Sequence, residues 1–283
     1  MRRIERRAAC LLWTVWAVGA AMAAAPARGL DLNGFLPGRG AGHAALSYTF
    51  ESYDEFFRGT QKVSNPGVGE VEVATFSLYL DYGFTDRLAI VANLPTVDAE
   101  GDGTGGFAQD DLQDLTAMLK YRLASYGSGS LRHKWVLAGG FSTPASDYEA
   151  NLPVDVGDGS TDVLARLIYQ LEGERFYFSQ QVGYDLRGDD VPDGFPFYTE
   201  VGYRRGSLLA GGFLSYYLAD GGSDIGDPGF TFTGNQEEFT RAGAKIYAEL
   251  SRRFGISGLV YTTLDGRNTG DFSGASFGVV ASF

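Results

Sequence analysis

Ala275-Ser276-Phe277-Gly278-Val279-Val280-Ala281-Ser282-Phe283 is the stretch that decides the fold. Strand side chains alternate between two faces. Counted back from the end, Phe283, Ala281, Val279, Phe277 and Ala275 share one apolar face, and Ser282, Val280, Gly278 and Ser276 share a small, mostly polar one. The strand ends on an aromatic residue with no tail after it. In a soluble domain an open terminal strand is an aggregation hazard. In a closed barrel the last strand pairs with the first, and an apolar outer face meets lipid. The expectation is therefore an all-β chain forming a single antiparallel transmembrane β-barrel.

Working back along the chain, twelve segments alternate in this way, at 41–51, 70–84, 87–97, 112–123, 134–143, 161–172, 174–187, 195–205, 207–219, 237–251, 254–265 and 272–283. An even count returns both ends of a bacterial barrel to one side. In the fourth segment Leu115, Ala117, Leu119, Tyr121 and Leu123 oppose Asp114, Thr116, Met118, Lys120 and Arg122. The tenth sets Ala242, Ala244, Ile246, Ala248 and Leu250 against Arg241, Gly243, Lys245, Tyr247 and Glu249. The third, fifth and ninth alternate less cleanly. Connections alternate long and short, the stretch 124–133 being the one exception, as outer loops and periplasmic turns do. Asp and Glu gather in the long set, and Arg and Lys in the short set. Aromatic residues near segment ends, among them Tyr48, Phe84, Trp135 and Phe254, fit interfacial girdles.

The N-terminus points to export. Arg2, Arg3, Arg6 and Arg7 precede an apolar run from Ala8 to Ala25 that reads as a secretory signal peptide over residues 1–25. A short periplasmic segment over 26–40 and the barrel over 41–283 would follow. The only cysteine, Cys10, falls in the leader, so the mature chain has no disulfide or thiolate chemistry. Without the four arginines and one glutamate of the leader, 19 basic and 34 acidic residues remain. That balance excludes a nucleic-acid partner, which needs a basic footprint. Forty glycines, 20 Phe and 16 Tyr suit an all-β membrane protein, and no apolar run in the mature part is long enough for a spanning helix.

By alternation Lys120, Arg122, Arg166, Arg241 and Lys245 point into the lumen, as do Glu200 and the tyrosines Tyr198 and Tyr247. Basic and acidic lumenal residues nearly balance, so the single-sign field of a strongly ion-selective pore is absent. Arg166, Glu200 and Lys245 sit near mid-strand and can form either a constriction that contacts a solute or a salt-bridged filling of a small barrel. Asp98, Glu100 and Asp102, followed by Gly103, have the opening spacing of a calcium loop. Position 12 is Gln109 rather than Glu, so a solvated acidic loop is the plainer reading of the same residues. A Ser–His lipid hydrolase has little support, because His43 and His133, the only histidines, fall at periplasmic strand ends. No cofactor motif is present.

Two patterns carry a family resemblance. Gly83–Pro95 (GFTDRLAIVANLP) is followed by Asp111–Leu123 (DLQDLTAMLKYRL), and Thr143–Tyr148 (TPASDY) by Gly157–Val163 (GDGSTDV). The chain resembles the outer-membrane family named for the MetA pathway of phenol degradation, whose members are described as transporters. The resemblance implies a barrel in the bacterial outer membrane that admits small solutes, aromatic and hydrophobic ones included. Phe277, Val279 and Phe283 likewise resemble the terminal signal read by the barrel assembly machinery. Lipids and lipopolysaccharide are the expected surroundings. Function is thus expected to be passive passage of a small-molecule solute. A structural or surface-interaction barrel with a closed lumen is the alternative.

Overall fold

Fifteen strands and no helix make up residues 30–283, the part that a computed structural model describes; the predicted signal peptide lies outside it. In chain order the strands are β1 (Gly42–Tyr53), β2 (Glu55–Arg58), β3 (Gln61–Ser64), β4 (Val71–Gly83), β5 (Leu88–Gly101), β6 (Ala108–Leu112), β7 (Asp114–Ser128), β8 (Leu131–Pro144), β9 (Asp162–Glu172), β10 (Phe176–Leu186), β11 (Asp193–Arg205), β12 (Leu208–Asp220), β13 (Glu238–Glu249), β14 (Phe254–Arg267) and β15 (Ser273–Ser282). Each main strand pairs antiparallel with its neighbours in sequence, β1 also pairs with β15, and the β4–β5 pairing completes the ring. With β6 prolonging β7 at its outer end, this is a closed barrel of twelve wall strands. All twelve coincide with the segments read from alternation.

Burial is inverted relative to a water-soluble protein. Leu46, Leu78 and Val260 are 48%, 48% and 56% exposed on the outer wall, whereas Arg166, Lys120 and Glu200 are at most 1% exposed inside. This arrangement is stable only where the outer band meets hydrocarbon and every backbone polar group is satisfied by a closed ladder. Phe277, Val279 and Phe283 all lie on that outer face. Bulges at Arg122/Ala124 and Thr240/Arg241 shift the register locally.

Three expectations about connections change. The 98–111 stretch is a β5–β6 hairpin extension, because strands continue beyond the membrane where side-chain pairs still support them. The 124–133 stretch is also strand, with β7 and β8 running out to a tight turn at Gly129-Ser130 whose glycine has φ +61°. The exception in connection length thereby disappears. Lastly, residues 30–36 are not free in the periplasm. Leu30, Leu32 and Phe35 are buried inside the barrel against inward-facing Tyr79, Met118, Ile168 and Tyr247. Apolar side chains find no cover in the periplasm, and they find it in the lumen.

Candidate solute path through the barrel lumen

At the periplasmic end the lumen is filled by the N-terminal segment. Leu32 N donates to Gln181 Oε1 at 2.8 Å, and Gly34 N donates to Gln170 Oε1 at 2.7 Å. Lys120 Nζ donates to the Phe35 carbonyl at 2.7 Å. Ser215 Oγ donates to Asp31 Oδ2 at 3.0 Å. The Phe35 ring meets Tyr177 edge-on at 4.9 Å. An extended segment cannot satisfy its own backbone groups; here inward-pointing wall side chains do so. A side chain at position 34 would strike Gln170 Cβ at 2.6 Å, so the close approach requires Gly34.

Around this segment stand the charged groups of the middle lumen, Tyr198 lying in register with the Gln181 that holds Leu32. Lys245 Nζ is 2.6 Å from Glu200 Oε2 and 3.2 Å from the Tyr198 hydroxyl. Tyr198 also donates to Glu200 Oε2 at 3.2 Å, and Tyr177 donates to Glu200 Oε1. Arg166 grips Asp185 through both terminal nitrogens. Toward the periplasmic end Lys134 pairs with Glu172, and toward the extracellular end Arg187 pairs with Asp158 and Asp162. Burying a charge is costly unless it is paired and hydrogen-bonded, and strand alternation brings these partners onto one inner surface. The lumenal tyrosines are seated on glycines: Tyr177 faces Gly202 and Tyr261 faces Gly274 directly in register. A Cβ at Gly202 would lie 2.1 Å from the Tyr177 ring.

On the extracellular side the lumen holds a cavity of about 290 Å³ whose lining includes Glu51, Tyr53, Phe239, Arg241 and Phe272. Its roof is laced across three loops. Arg267 holds Asp224 with two bonds of 2.8 Å, and Arg58 Nε donates to the Ile225 carbonyl at 3.0 Å. Asn268, in the left-handed region at φ +48°, accepts from Gly59 N and Ile225 N through Oδ1 and donates from Nδ2 to Asp224 Oδ1. The bond from Arg267 holds the Asp224 carboxyl below the usual carboxylate range.

The residues singled out in the sequence separate into distinct places. Glu200, Lys245 and Tyr198 form one cluster; Arg166 belongs to a different pair. Lys120 and Tyr247 meet the N-terminal segment, and Arg241 reaches the outer cavity. Arg122 is no mid-lumen group: it lies half-buried at the periplasmic rim, donating to the Asp86 carbonyl at 2.6 Å. The calcium-loop reading fails. Asp98 and Glu100 are exposed on regular strand β5, opposite Asp110 and Ala108, and Asp102 accepts from Glu70 N at 2.7 Å. A ladder fixes those carboxylates side by side with no enclosing turn, and among the described residues no cluster of His, Cys, Asp and Glu could hold a metal ion. Sequence reasoning missed Glu51, Gln170 and Gln181. Glu51 stands two residues from Thr49 on the same inner face, so strand alternation could have found it, but uncharged Gln attracts no notice until something binds it.

Comparison with known proteins fits this geometry. The sequence model of the family described as "Putative MetA-pathway of phenol degradation" matches residues 56–279. An outer membrane channel from Pseudomonas putida F1 has a similar structure, with a TM-score of 0.72 at 16% identity, covering 90% of this chain and 100% of that one. The NanC porin aligns with a TM-score of 0.50 at 9% identity over 85% of this chain and 98% of its own. No curated protein matches the chain.

Proposed function

The chain belongs to the MetA-pathway phenol-degradation family of barrels, and from that premise we propose that it is an outer-membrane channel for passive passage of small solutes. One observation carries the reading: the lower lumen is filled by residues 30–36, a separate segment, and not by wall side chains alone. A barrel serving only as a scaffold fills its interior from its own wall. Here the interior is wide enough for a strand-like segment, and a cavity stands open above it. The paired charges at Arg166–Asp185 and Lys245–Glu200 hold the wall in shape around this path and leave it without net sign. Lipid contacts the exposed apolar band, lipopolysaccharide surrounds the acidic loops, and the assembly machinery reads the terminal strand at Phe277, Val279 and Phe283.

The test is conductance in planar bilayers of the refolded chain and of a variant lacking residues 30–36. We expect small steps from the first and larger ones from the second. Folded, inserted protein that stays silent in both forms would sink the channel reading and leave the closed-lumen alternative. No hydrolytic role is assigned: His133 stacks on Tyr126 and bonds the Tyr169 hydroxyl, and His43 sits opposite Asp81 at the far end of the barrel from the outer leaflet. Replacing both histidines should leave conductance unchanged.

A further inference from the structure

The outer cavity holds two opposite charges that do not satisfy each other. Arg241 is 4% exposed and Glu51 0%, and both line the cavity. Nε and Nη1 of Arg241 have no hydrogen-bond partner, and neither has Oε1 of Glu51. The other Glu51 oxygen accepts from the Tyr261 hydroxyl at 2.5 Å, which fixes the carboxylate. The guanidinium is fixed too, lying 4.3 Å from the Phe239 ring centroid and 5.2 Å from that of Phe272. Leaving a buried donor or acceptor unmade costs about 1–3 kcal/mol, more when it is charged. Fixed donors and a fixed acceptor facing one space are what a guest with complementary groups completes.

The walls define the rest of the guest. Tyr53 and Phe272 meet edge-on with centroids 4.5 Å apart, beside Phe239 on the same cavity. Such faces and edges take a flat ring. A volume near 290 Å³ is at the small end for ligand pockets, room for one ring and its substituent. Charge narrows the class further. Asp155 and Glu237 also line the cavity, so an anion bound at Arg241 would stand among carboxylates. A cation bound at Glu51 would face the guanidinium. A neutral guest escapes both repulsions.

We propose that this cavity is a binding station for neutral single-ring compounds that carry a hydrogen-bond donor and acceptor on one edge, such as an aromatic carboxamide or a phenolic hydroxyl. The acceptor takes Arg241, the donor gives to Glu51, and the ring lies among Tyr53, Phe239 and Phe272. The inference rests on the channel reading for its purpose, since a station above the lumen selects what enters it. Its test does not depend on that reading.

Calorimetric titration of the folded protein in detergent, with no membrane present, would use four probes of one ring each: benzamide, phenol, benzoate and toluene. Benzamide and phenol should bind saturably at one site. Toluene, which offers neither group, should bind at least roughly tenfold more weakly, as the loss of hydrogen bonds to charged partners requires. Benzoate should be weaker by a similar factor. Glu51→Gln and Arg241→Met should each reduce benzamide affinity by roughly tenfold or more. Should Arg241→Met fail to fold, Arg241→Lys keeps the charge, lacks the Nε donor and gives the same readout. Equal affinity for all four probes would mean a merely apolar hollow, and no saturable binding would mean that water alone completes the pair. Either result overturns the proposal and leaves the conductance test intact.

Discussion

Gly42 and Phe283 exchange two backbone hydrogen bonds, Gly42 N to the Phe283 carbonyl at 2.9 Å and Phe283 N to the Gly42 carbonyl at 3.0 Å. The terminal residue therefore extends the β1–β15 seam beyond the last strand pair. Its ring stacks near Tyr82, with centroids 6.3 Å apart, and covers the space above Gly42. Deleting Phe283 should lower the urea midpoint of the barrel in lipid vesicles by an amount equivalent to about 1–3 kcal/mol, from the two lost bonds alone. An unchanged midpoint would mean that the seam does not need its final residue.

Arg166 and Asp185 should show the asymmetry of buried pairs. Arg166→Met alone leaves a buried carboxylate and should cost about 3–5 kcal/mol, read as a fall in Tm. Asp185→Leu added to it should restore most of that loss. A double variant as unstable as the single would show that the pair itself stabilises the wall.

Lys120 joins the wall to the internal segment through the Phe35 carbonyl. Lys120→Met should release that contact, worth about 1.5–3 kcal/mol for a charged donor. Single-channel records should then show the larger conductance level occupied roughly ten- to a hundredfold more often relative to the smaller. Identical occupancies in the variant and the parent chain would detach Lys120 from gating.

Gly202 lies under the Tyr177 ring in direct register. Gly202→Ala should displace that ring, break its bond to Glu200 and destabilise the barrel by about 1–3 kcal/mol through overpacking. Tyr177→Leu in the same chain should relieve the clash. Thermal melts of the single and double variants decide it.

The loop lacing responds to acid in a defined direction. Asp224 is held below its ordinary value of 3.8 by the bonds from Arg267 and Asn268. Its contribution to loop closure is thus complete above that value and is lost as pH falls through the depressed one. Loop proteolysis rates should be flat from neutral pH down to about 5 and rise only in strong acid. Asn268→Gly keeps the left-handed backbone, removes the side-chain bonds, and should raise those rates at every pH.

The wall was legible because lipid outside and charge inside enforce a two-residue period along every strand. Leu119, Tyr121 and Ile246 therefore point outward, and Met118, Lys245 and Tyr247 inward, as alternation requires. Strand ends were less legible. Once a hairpin leaves the bilayer its outer face no longer needs to be apolar, so Asp98 and Glu100 read as loop while remaining in the ladder. The lumen contents were the least legible. Leu32 and Phe35 belong to a stretch with no period, and nothing local says that Gln170 and Gln181 will bind it. Arg122 misled because a bulge beside it lies at the rim, where facing inward no longer means facing the solute path.

The placement of residues 30–36 also constrains the order of assembly. The segment bonds β7, β9, β10 and β12, four strands made later in the chain, and it is tied to β1 by only a few residues. It has no binding site until those strands curve into a ring. The segment that comes before every strand in the chain is therefore seated last. A cysteine pair at Leu32 and Gln181 should accordingly crosslink only after the barrel has gained its folded mobility on gels, and a crosslink that precedes closure would reverse that order.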